Sequence, residues 1–247
     1  MPRDPHSFSV SDSDPMGSVV ASCLDIALQM IYVPEVQYSF TQALTEIDQA
    51  FVGNRKEAAS WLTEDFFPAM MDEFPPLVID WMMQSGKYAA VTYYASFNRK
   101  NYANNIVVSL NASFVVAMMN AFKEDKMSAV QDWMFIFANI LIHEMGHIMS
   151  RHRYDGRENT PEHLPPRGSA ARRATGRQEG GKYLEMIIHS GQHAEIVPPN
   201  TGLKMEDWGL IMRNTTRWTD DNGIDWANDL VWRIRRRTIS DALDRSK

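Results

Sequence analysis

At 247 residues, 44% of them hydrophobic and 23% charged, the chain is long enough to bury a core of its own and too balanced to be wholly disordered. Its net charge of -6 excludes nucleic acid as a whole-surface partner, because phosphate binding rests on clustered Lys and Arg. The single cysteine, Cys23, excludes an intramolecular disulfide and a cysteine-built zinc cage, so any metal must be held by His, Asp or Glu.

Residues 1–16 are rich in Pro, Ser and Asp and read as a disordered lead-in. They lack the basic start and apolar stretch of a secretory signal, so a cytoplasmic protein is expected. Val20, Leu24, Leu28 and Ile31 recur at helical spacing and predict a helix over 18–32, ended by Pro34. The apolar segment from Val19 to Val33, interrupted by Asp25 and Gln29 and ended by Pro34, is too short and polar to span a membrane. A second helix is predicted over 41–52, with Gly53 just past its end, and a third over 56–67. A shorter one follows the Pro75-Pro76 pair up to Gly86. The β-branched and aromatic runs YAAVTYYASF (88–97) and IVVSL (106–110) predict two strands, and 113–122 returns to helix.

Ser128, with Gln131 three residues on, resembles a capping box and opens the next helix. Between Trp133 and Ile142 this helix is apolar all round except for Asn139, which places it at the centre of the fold. Residues 151–181 then lose all periodicity, hold seven arginines, and read as a long mobile surface loop. The loop divides a single domain, 17–247, into an N-terminal lobe (17–150) and a C-terminal lobe (182–247). Helix resumes at 182–190 (KYLEMIIHS), and a last helix from Asp225 sets Trp226, Leu230 and Ile234 on one face, opposite Arg235, Arg236 and Arg237. The expected class is a helix-rich α+β fold, with a small sheet before a buried helix and a helical C-terminal part.

The chemistry is concentrated in HEMGH, residues 143–147. Residues four apart on a helix lie one above the other, so the imidazoles of His143 and His147 can converge on one metal ion. Glu144 is rotated by about 100° from His143, which keeps it off the metal but within reach of a metal-bound water. Zinc lowers the pKa of such a water towards about 7 and polarises a carbonyl, while the carboxylate relays the proton. Three ionisable side chains within five residues of an apolar helix cost several kcal/mol to desolvate unless they find partners or do work.

Through His143-Glu144-Met145-Gly146-His147 the sequence resembles the zincin metallopeptidases. The resemblance implies a two-lobed architecture in which strands precede the active-site helix, a zinc ion, and hydrolysis of peptides. It covers five residues strictly and 128–190 loosely. The metzincin subgroup is excluded, since Ser150 stands at its glycine position and Arg153 at its third histidine position. The gluzincin alternative takes its third ligand from a later helix, where Glu185 in GGKYLEMIIHSG is the best candidate; Asp155, His193 and Glu195 are rivals. His152 is disfavoured, being about 140° from His147 on a continuing helix.

The expected site therefore comprises His143, His147 and Glu185 on zinc, with Glu144 as general base. Tyr183, His189 and Tyr154 are the groups available to stabilise an oxyanion. Two histidines and a carboxylate also suit Fe(II) and oxygen chemistry, and a metal closed by four protein ligands, His189 included, would make a non-catalytic module. A peptide or small-molecule substrate is expected, without nucleic acid or membrane. Arg172 and Arg173 in the loop would suit an acidic substrate or a terminal carboxylate.

Overall fold

The computed structural model describes residues 7–9, 15–81, 83, 90–94, 106–153, 181, 184, 188, 192–197, 209–214, 218–219, 225–226 and 231–233. Strand β1 (Ser7–Ser9) forms inside the stretch expected to be a disordered lead-in, because a sheet edge supplies backbone partners that its composition alone does not promise. Helix α1 (Pro15–Met30) then buries Val20, Cys23, Ala27 and Leu28. Pro34 starts α2 (Pro34–Ile47) rather than only ending α1, so the second helix begins seven residues earlier than the expected 41–52. The reason is that a proline at the first helical position loses no hydrogen bond and arrives with its φ already helical.

Asn54 caps α3 (Arg55–Trp61): its side-chain oxygen accepts from the Glu57 amide, and its Nδ2 donates back to the Glu57 carboxylate. The same rod continues through a π-helical segment (Leu62–Phe66) into α4 (Phe67–Asp72), five residues beyond the expected end. Strand β2 (Leu77–Asp80) occupies the place where a short helix was expected after Pro75-Pro76. Over so short an apolar run both periods fit, and the parallel ladder to β4 decides.

The two predicted strands are present as β3 (Ala90–Tyr94) and β4 (Ile106–Asn111). The four strands form one mixed sheet in the order β1-β2-β4-β3, with Thr92 of β3 opposite Val108 of β4. Asn111 is fully buried and caps α5 (Ala112–Lys123) by accepting from the Ser113 amide. Helix α6 (Met127–Arg153) is 27 residues, or about 40 Å, long. It starts before Ser128, which therefore sits in its first turn and not at the cap, and it runs three residues into the segment expected to be loop.

Helices α1 and α5 pack on α6, α5 also covers β2 and β4, and α6 meets β3. Trp133, Phe137, Leu141, Met145, Ile148 and Met149 of α6 are each at most 1% exposed. At about 1.5–3 kcal/mol per buried large side chain, this stripe is what holds the helix in the interior.

Past residue 180, Gly181, Leu184 and Ile188 are helical; Leu184 is fully buried and Ile188 packs against the core. Among the described residues the C-terminal part is otherwise strand, which corrects the expectation of a helical C-terminal lobe there. β5 (Gln192–Val197), β6 (Gly209–Asn214), β7 (Trp218–Thr219), β8 (Asp225–Trp226) and β9 (Val231–Arg233) replace it, with an antiparallel β5-β6-β9 sheet and a β7-β8 pair. The expected helix from Asp225 is thus β8 and β9: Val231 and Trp232 suit a strand as well as a helical face, and the ladder to β6 selects the strand. Both β5 and β6 touch α6, so the HEMGH helix meets the two larger sheets. The fold is helix-rich α+β. Among the described residues no single helix is long and apolar enough to cross a membrane.

Candidate metal centre

Helix α6 places His143 and His147 one turn apart on its half-buried side, with ring centroids 5.2 Å apart and planes inclined by 61°. Zn–N bonds of about 2.0–2.1 Å at a tetrahedral angle put two coordinated imidazole centres about 5 Å apart, a separation that the centroid spacing of this pair matches. Glu144 points elsewhere, as the helical rotation requires, and is only 4% exposed. Its Oε2 accepts a hydrogen bond from the Thr92 hydroxyl on β3, across 52 positions of sequence. The base expected from the motif is thus already partnered from the sheet side.

A second close approach reaches the site from beyond the arginine-rich segment. A Cβ added to Gly181 would lie 2.5 Å from the His143 carbonyl oxygen and 2.7 Å from its Nε2. Real Cβ atoms do not approach so closely, so only glycine lets the backbone there lie against the first histidine. The start of the later helical segment and the HEMGH turn are therefore in direct contact.

The lower end of α6 is tied in a different way. His152 is 2% exposed, lies against the rings of Trp61 and Phe66 with centroids 5.5 and 5.6 Å away, and has Nε2 3.3 Å from Asp65 Oδ1. It faces the π-helical segment, away from His147. Arg153 pairs with the buried carboxylate of Asp48 and stacks over Phe51, its guanidinium carbon 4.4 Å from the ring centre. Ser150, at the metzincin glycine position, donates to the Gly146 carbonyl. Cys23 is sealed against Met118, and burial pushes its thiol up to about 12, which removes it as a nucleophile.

The structure thus brings His143, Glu144 and His147 together and adds Thr92 and Gly181. Among the described residues no group of three or more His, Cys, Asp or Glu side chains is placed to hold a metal. Glu185, Tyr183, His189, Tyr154, Asp155, Arg172 and Arg173 lie outside the described residues, while the backbones of His193 and Glu195 stand at alternate positions of β5. Thr92 carried no local signal, since a threonine in AVTYY satisfies strand propensity by itself. The Gly180-Gly181 pair was a visible irregularity, but its partner was not. Comparison of the chain with models of known protein families, with curated proteins and with solved structures found no match.

Proposed function

We propose that the chain is a zinc-dependent hydrolase of zincin type, acting on peptides, with His143 and His147 as ligands and Glu144 as general base. The observation that carries this reading is the pairing of two imidazoles at 5.2 Å with a buried glutamate one residue along, hydrogen-bonded to the neighbouring strand. When bound, zinc supplies a Lewis acid and a water acidic enough to lose its proton near neutrality. Glu144 takes that proton at one carboxylate oxygen and returns it to the departing amine nitrogen. The glycine at 181 lets the backbone lie against His143 with no side chain between them.

Glu185 is the proposed third ligand: it follows Gly181 by four positions, the spacing of one helical turn, and Gly181 lies on His143. Asp155, His193 and Glu195 are its rivals, the last two on a strand that touches α6. Tyr183 and His189 are proposed to stabilise the oxyanion. A peptide substrate is supported by β3, the end strand of its sheet among the described residues, because an extended peptide can pair with such a strand beside the residue that holds the base.

The test combines metal analysis of protein purified without an affinity metal with hydrolysis of a quenched-fluorescent peptide library. The expected result is about one zinc per chain, retained in Glu144→Gln and lost in His147→Ala and Glu185→Ala. Turnover should fall by about 10²–10⁴-fold in Glu144→Gln. Iron in place of zinc, with an indifferent Glu144→Gln, would redirect the reading to oxygen chemistry; no metal at all would end it.

A further inference from the structure

The Glu144 carboxylate is nearly sealed from solvent, and a buried carboxylate needs a donor to stay where it is. Thr92 supplies one. The Thr92 hydroxyl has a single hydrogen, and it is donated to Glu144 Oε2. With Oε2 occupied, Oε1 is the oxygen left to exchange a proton. Thr92 is itself fixed: β3 is laddered to β4 over its whole length, and strand alternation puts Thr92 on one face with Ala90, which packs against the core. The hydroxyl therefore reaches the helix from a rigid element and not from a loop.

We propose that Thr92 is a positioning residue for Glu144, anchoring one carboxylate oxygen to the sheet so that the other is presented to the substrate water. This rests on the hydrolase reading for its consequence, though not for the contact itself. A threonine on a strand would also be present for its shape alone. Valine keeps that shape and removes the donor, whereas serine keeps the donor and removes the methyl.

The decisive experiment compares Thr92→Val and Thr92→Ser with the native chain in two assays. In hydrolysis of the peptide library's best substrate, Thr92→Val should lose about 10–100-fold in kcat with KM and zinc content unchanged. Thr92→Ser should recover most of that loss, and Thr92→Val should add nothing in a Glu144→Gln background. In the metal-free chain, held in EDTA, a double-mutant cycle between Thr92→Val and Glu144→Leu, which removes the acceptor, should show about tenfold coupling in the unfolding constant. An unchanged kcat in Thr92→Val, a loss confined to KM, or an additive cycle would each overturn the proposal. Hydrolysis that needs Glu144 but ignores the Thr92 hydroxyl overturns it alone; a zinc-loaded native chain that cleaves nothing overturns the hydrolase reading and the positioning role with it.

Discussion

Gly181 contributes no side chain, yet the geometry makes it one of the most constrained positions near the site. Its backbone lies where any Cβ would collide with the His143 imidazole and carbonyl at once. The imidazole is held in a packed helix and the carbonyl cannot yield without bending α6, so relief must come from moving His143 or withdrawing residue 181. Gly181→Ala is therefore expected to weaken zinc binding by about 10–100-fold and to destabilise the fold by about 1–3 kcal/mol. Competition with a fluorescent zinc chelator, together with a urea titration, checks both; unchanged affinity would mean that the contact has no bearing on the site. At this scale the sequence was legible only where the interacting residues are close neighbours in the chain. His143, Glu144 and His147 are recognisable because helical geometry alone brings them together, whereas Thr92 and Gly181 become meaningful only through partners 52 and 38 positions away.

Helix α6 packs against α1, α5, β3, β5 and β6, and its far end is pinned away from His143 and His147. Arg153 neutralises the buried Asp48 carboxylate, which also accepts from the Ala50 amide, and covers Phe51 and Trp61 with its guanidinium. Arg153→Ala removes the counter-charge and leaves a buried carboxylate behind. The expected loss is about 2–3 kcal/mol, below the full cost of breaking a wholly buried pair because the arginine is partly solvated. The double variant with Asp48→Asn should be less damaged than Arg153→Ala alone, read as urea midpoints at constant m-value; equal damage would show that ring stacking and not charge holds this end. Elements were legible in proportion to their length. α6 and α5 were readable because many turns of consistent apolar spacing average out local ambiguity, and β3 and β4 because β-branched and aromatic residues cluster there. The runs at 77–80 and 231–233 are three or four residues long, too short for period 3.6 to be told from period 2, and only their ladders to β4 and β6 make them strands. Pro34 misled for a different reason: the property that stops one helix also starts the next.

At the scale of the molecule, the proposed ligands come from two sides of the arginine-rich segment, so the proposed site would couple metal binding to folding. A metal that binds only the folded chain stabilises it by about 2.7 kcal/mol at a hundredfold excess over Kd, which for a domain of this size raises Tm by about 5–10 °C. Zinc should produce that rise in the native chain and EDTA should reverse it. Protons compete with the metal for imidazole nitrogens, so the gain must shrink as the pH is lowered and cannot grow. The variants separate roles that a loss of activity would merge. His147→Ala removes a ligand and should abolish the zinc-dependent rise, while Glu144→Gln removes only the proton acceptor and should leave it intact. A Glu144→Gln chain that no longer responds to zinc would make Glu144 a ligand, closing the coordination position that hydrolysis requires and turning the site into a staple between the HEMGH helix and the C-terminal half.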